Sequence, residues 1–172
     1  MFREISPSKL GGNVFDNIGK TWMLVTAGSS PDKGGFNMMT ASWGGMGILW
    51  NKPVATVYIR PQRHTFGFIE REDYLSLSFF DDEKYRDMLM MCGTKSGRDC
   101  DKLALSGLTP VFDREAPYYA EASRVLICRK LYRQRFEPEC FTGEKADKLY
   151  PDGDYHYMYI CEIVHALTGC GE

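Results

Sequence analysis

Short apolar runs, divided by turn-forming segments, constrain this chain more than any other feature. Trp22–Ala27, Val54–Ile59, Tyr74–Phe79, Val125–Tyr132 and Tyr155–Leu167 are rich in β-branched and aromatic residues, which suit a pleated, half-buried surface. Tyr74–Phe79 alternates apolar and polar residues, the period of a strand with one face covered. Ser30–Gly35 carries turn chemistry, so Phe36–Ser42 reads as the returning strand of a hairpin with a long loop. Gly44–Gly47 is expected to break regular structure, and Pro61 to stop the Val54–Ile59 strand. Tyr155–Leu167 is near the upper length of ordinary strands, so a bend or bulge is expected within it. Helical spacing is confined to short pieces. Thr65–Glu70 forms one, with Thr65 as N-cap. Asp81–Met91 forms another, with Gly93 placed to end it. Strands do not alternate with long helices, which excludes a doubly wound parallel sheet. A closed or partly closed antiparallel barrel manages the sheet edges instead.

Composition narrows the function classes. The 172 residues include 21 Lys plus Arg against 23 Asp plus Glu, with 44% hydrophobic residues. That apolar content excludes disorder as the main state, and the absence of a basic excess argues against bulk nucleic-acid binding. No linker-like segment divides the chain, so residues 1–172 are read as one domain. No stretch is apolar enough to span a membrane. The first residues lack the apolar centre of a signal peptide, so a cytoplasmic protein is expected. The six cysteines have no metal-ligand or thioredoxin spacing and read as scattered reduced thiols, with Cys128 and Cys161 on strands. His64, His156 and His165 are too dispersed for a dedicated metal site.

Three segments carry chemistry. In Asn37–Gly45 the small residues Thr40, Ala41, Ser42 and the glycines let a ligand reach the main chain. Trp43 adds a flat platform. The pattern suits a planar ring with a polar rim, or a strand end and glycine turn with Trp43 in the core. In Arg60–Thr65 two guanidinium groups and a hydroxyl stand at a helix start. They form an anion site, or a solvated loop pairing with Glu70, Glu72 or Asp73. In Thr94–Asp99, Ser-Gly can present a nest of N–H groups with Lys102 completing the charge, or form a polar loop. His156 shares a strand face with Met158 and Ile160, as a packed histidine or a polar group facing a pocket.

Taken in order, these segments resemble the flavin reductase-like family, most closely its flavoredoxin-like branch. The matching residues are Asn37–Trp43, Asn51-Lys52-Pro53, Arg60–Thr65, Ser96-Gly97-Arg98 with Asp101-Lys102, and His156–Ile163. The resemblance implies a mainly β fold, a six-stranded antiparallel Greek-key split β-barrel with a few short peripheral helices. It implies a homodimer with FMN near the subunit interface. Asn37, Met39, Thr40, Ala41, Ser42 and Trp43 would line the isoalloxazine ring. Arg60, Gln62, Arg63, His64 and Thr65, with Ser96 and Lys102, would serve the ribityl phosphate and flavin rim. The implied activity is an NAD(P)H:flavin reductase passing hydride from NADH or NADPH through FMN to a flavin or other acceptor. The alternatives are an FMN electron carrier reduced by a redox protein partner, or a flavin- or haem-binding module without turnover. No side chain need act as a catalyst, because the cofactor carries the chemistry; His156 is the candidate beside the flavin. The family commonly has Ala at the position of Met38 and Gly at that of Cys161, so Cys161 is expected to narrow the space beside the ring.

Overall fold

The computed structural model describes residues 1–169 other than Lys33 and Glu144. Ten strands form among them: β1 (Phe2–Ile5), β2 (Met23–Gly28), β3 (Phe36–Ala41), β4 (Gly44–Leu49), β5 (Lys52–Ile59), β6 (Tyr74–Phe79), β7 (Pro110–Val111), β8 (Tyr118–Tyr119), β9 (Arg124–Arg135) and β10 (Tyr157–Gly169). Eight belong to one antiparallel sheet of order β3-β2-β6-β9-β10-β5-β4, with β1 against β10. The helices are short: α1 (Val14–Asp16), α2 (His64–Arg71), α3 (Arg86–Thr94), α4 (Lys102–Ser106) and α5 (Ala146–Leu149).

The expected six strands are thus too few, and the sheet does not close. β3 and β4 end the order without pairing to each other. Yet only Ser42 and Trp43 separate them in the chain. That covalent link brings the two ends of the sheet together at one corner and leaves an open seam there.

Gly44–Gly47 was expected to break regular structure; instead it starts β4. A Cβ on Gly44 would stand 2.5 Å from the Thr56 carbonyl oxygen, so glycine lets β4 lie tightly on β5. β10 has the expected irregularities, with register shifts against β9 at Ile160/Cys161 and Ile163/His165. The 36–42 hairpin expectation holds, with Met23 opposite Ala41 and Gly28 opposite Phe36.

Both faces of the central strands are covered. Met23, Val25, Leu77, Leu126 and Cys128 pack in one cluster with Phe68 and Ile69 of α2. Their neighbours Leu24, Val125 and Ile127 turn to the other face, against Met38, Leu89 and Cys92. This is the period of two expected of a strand, and burial on both faces explains the nearly continuous apolar runs. The helix boundaries differ from expectation. Arg63, not Thr65, is the N-cap of α2, because the Thr65 hydroxyl lies inside the helix and accepts a bond from Asn37. The 81–91 region splits into a short turn of helix over Glu83–Tyr85, capped by Asp82, and then α3. Gly93 does not end α3, which runs on to Thr94. Its role is packing, since a Cβ there would meet the Thr40 side chain at 3.4 Å.

Candidate functional site

β3 is a terminal strand, so one of its main-chain edges has no strand partner among the described residues. The Met38 carbonyl oxygen lies on that free edge, where it accepts from Lys102 Nζ at 3.0 Å. Outward and inward groups alternate along an antiparallel ladder. Met38 and Thr40 therefore turn their main-chain groups away from β2, whereas Met39 and Ala41 turn theirs toward it. The Met39 and Ala41 side chains are in the core. The Thr40 hydroxyl donates to the Leu89 carbonyl at 2.6 Å, which anchors α3 on the same strand.

A cavity of about 570 Å³ opens at the start of β3, lined among others by Asn37, Met38, His64, Gly97, Arg98 and Lys102. It joins all three segments that the sequence singled out. The Asn37 amide donates to the Thr65 hydroxyl at 2.7 Å, tying β3 to the first turn of α2. Arg98 reaches back to the Gln62 carbonyl at 3.0 Å. Glycine is required at position 97: a Cβ there would lie 2.3 Å from Asn37 Oδ1 and 2.9 Å from His64 Cδ2. Ser96 does not line the cavity; its Oγ accepts from the Arg98 N–H at 3.2 Å, which orders the cradle.

Lys102 is the central charge, only 4% exposed. Its ammonium group donates to the carbonyls of Met38 and of Cys92, the latter at 2.8 Å. An ammonium has three donors, so one remains for the cavity. Arg63 donates to the neighbouring Gly93 carbonyl at 2.7 Å. Both cations thus sit at the C-terminal turn of α3, where unpaired carbonyls and the helix dipole favour positive charge. Burial, and secondarily the Arg63 charge, pull the Lys102 pKa down to about 8. Burial also lowers Arg63, which stays charged. Burial pushes the adjacent Cys92 thiol up to about 11.

His64 reads the local field. Burial lowers its pKa first, and every charge acting on it is positive: Arg98, Lys102 and Arg71. Arg63, Arg98 and Lys102 have no salt-bridge partner among the described residues. Asp32, Asp99 and Asp101 also line the cavity, but they are exposed at its rim, and Asp101 is engaged in capping α4. Arg98 and Lys102 at the cavity and Arg63 behind them, none in a salt bridge among the described residues, suit an anion better than a neutral ligand at this glycine cradle.

The remaining predicted residues form a second group at the split corner. Trp43 is 60% exposed, which removes the alternative that it fills the core. Its ring lies 5.3 Å from that of His156. His156 is buried, and its Nδ1 is 2.8 Å from the Tyr150 hydroxyl. Burial, and then the Arg60 charge, hold its pKa down near 4, so it is neutral at physiological pH. Arg60 pairs with Asp154 at 2.7 Å rather than with Glu70, Glu72 or Asp73, and Gln62 donates to the same carboxylate. Ser42 is half-buried beside Trp43. Cys161 is in the hydrophobic core and lines neither group.

A domain model described as flavin reductase like matches residues 15–171. The chain belongs to that family. No curated protein matches it. Among solved structures, it is similar to an FMN-binding domain of a flavin reductases-like enzyme from Shewanella baltica OS155, at 18% identity and TM-score 0.66, covering 98% of this chain and 77% of the other. It is similar to a flavoredoxin from Methanosarcina acetivorans at 20% identity and TM-score 0.65, covering 96% and 76%. An NADH:FAD oxidoreductase of Streptomyces globisporus C-1027 aligns at 16% identity and TM-score 0.61, covering 87% and 75%. At these identities the likeness is one of fold.

Two residues of this flavin reductase-like chain escaped the sequence reading. Arg98 stood within the Ser96-Gly97-Arg98 segment, and its cationic side chain was signal enough. Asp154 had no signal: it is 92 positions from Gln62, and only folding brings them together.

Proposed function

We propose that the chain binds FMN and uses it as an NAD(P)H-dependent oxidoreductase, handing electrons to a flavin or other acceptor. The observation that carries this reading is the cationic cavity at the free edge of β3, on a flavin reductase-like fold. The donor set fits the cofactor. Lys102 and Arg98 face the cavity, Arg63 adds charge behind them, and Gly97 keeps the cradle open for a phosphate. The outward main-chain groups of Met38 and Thr40 offer donors and acceptors to a polar ring rim. Trp43, exposed at the corner, offers a flat wall. Neutral His156 packs against that wall. When bound, the flavin supplies hydride acceptance and electron transfer. The chain's own part is to bind, orient and set the local field.

The cofactor site is proposed to be completed by a second copy. Trp43, Ile48 and Trp50, on or flanking the terminal strand β4, are 60%, 73% and 65% exposed, and such clustering marks an association surface. The described cysteines are free thiols, which suits a cytoplasmic setting.

The test is anaerobic mixing of protein and FMN with NADH or NADPH. Bleaching of flavin absorbance at catalytic rates is expected. Reduction by a low-potential redox protein but by neither nicotinamide would replace this reading with an electron carrier. Failure to take up FMN would refute both.

A further inference from the structure

A second cavity, of about 610 Å³, lies away from the cationic one, under the lobe that connects β9 to β10. Phe136, Phe141, Leu149 and Met158 form its apolar walls, and Gln134 and Arg135 stand among its polar lining residues. The lobe is fixed to the sheet on its inner side. The Phe136 N–H donates to the His156 carbonyl at 2.9 Å, and Tyr150 is buried against His156. Its lip stands off. Leu149 is 46% exposed, and a Cβ on Gly143 would meet nothing within 4 Å. Packed interiors seldom leave apolar voids larger than a water molecule. An aromatic-walled cleft of this size, with a few polar groups, is the ordinary form of a small-ligand site.

The polar groups specify the ligand. Gln134 Oε1 is occupied by the Tyr132 hydroxyl, which leaves its amide donors. Arg135 is paired with Tyr157 where Gln134 is paired with Met158, so its side chain turns to the other face of the sheet, where it donates to the Gly153 carbonyl at 3.2 Å and has Glu137 at 4.0 Å. Uncharged amide donors above aromatic walls select a neutral ring compound that presents an acceptor oxygen. We propose that this cavity binds a flat aromatic carbonyl compound of one or two rings, its ring against Phe136, Phe141 and Met158 and its oxygen at the Gln134 amide. The site is independent of the flavin reading.

Cys140 lines the cavity and is an exposed thiol, so it reports on occupancy. The probe is 2-acetylnaphthalene, titrated by calorimetry into the whole chain with and without excess FMN. Alkylation of Cys140 by iodoacetamide is followed by mass spectrometry. Saturable one-to-one binding is expected, equal in both FMN conditions, with Cys140 alkylation slowed by about fivefold or more at saturation. Met158→Trp fills the cavity and should weaken binding by about tenfold or more. Gly143→Leu narrows the lip without touching the sheet and should do the same, so a misfolded Met158→Trp still leaves a test. Binding that does not saturate, that FMN displaces, that leaves Cys140 unprotected, or that survives a folded cavity-filling variant would overturn the proposal.

Discussion

Replacing Lys102 by Met keeps the apolar stem of the side chain and removes its ammonium group. In the native protein that charge is buried, held by the Met38 and Cys92 carbonyls, and lowered to about 8. Two effects of opposite sign follow. Burying the ammonium opposes folding: a fall from the ordinary 10.5 to about 8 is worth roughly 3 kcal/mol. The unfolded chain binds more protons between those values, so stability of the flavin-free protein should rise with pH across that window. Anion binding runs the other way. A charge-assisted hydrogen bond contributes about 1.5–3 kcal/mol, so FMN affinity should fall by about ten- to a hundredfold as Lys102 loses its proton above about pH 8. In Lys102→Met both slopes should vanish, and affinity should sit at the weak limit throughout. Fluorescence titrations with FMN and urea melts of the flavin-free protein, each from about pH 7 to about pH 10.5, measure the two curves. An affinity independent of pH in the native chain, or unchanged in the variant, would show that no anion is held at Lys102.

Arg63→Ala should weaken FMN binding by about ten- to a hundredfold. Arg60→Ala, whose guanidinium is committed to Asp154, should mainly lower thermal stability; equilibrium dialysis with FMN and a melting curve separate the two. Gly97→Ala drives a Cβ into Asn37 and His64. It should cost about 1–3 kcal/mol of stability and disturb the cradle, seen as a lower urea midpoint with weaker flavin uptake. Trp43→Ala removes an exposed ring at the split corner. It should change the quenching of bound flavin fluorescence while leaving the melting temperature within a few degrees; an unaltered spectrum would place the ring elsewhere.

The sequence determined the central strands, because burial on one or both faces writes a period of two, or a continuous apolar run, into them. Tyr74–Phe79 was legible for that reason, Phe36–Ser42 from the turn chemistry before it, and β10 announced its bulges by its length. The sequence also supplied the chemistry of the three segments, since Asn37, the arginines and Lys102 carry their donors wherever they lie. It did not reveal β4, because Gly44–Gly47 is a strand only where Thr56 of β5 comes close enough to exclude a Cβ. Nor did it reveal that Arg60 and Gln62 would be claimed by Asp154, or that Lys102 would bury its ammonium on two carbonyls. Those outcomes depend on which distant groups share a desolvated space. Tertiary structure alone decides that, because the cost of burying a charge is set by its neighbours in space and not by its neighbours along the chain.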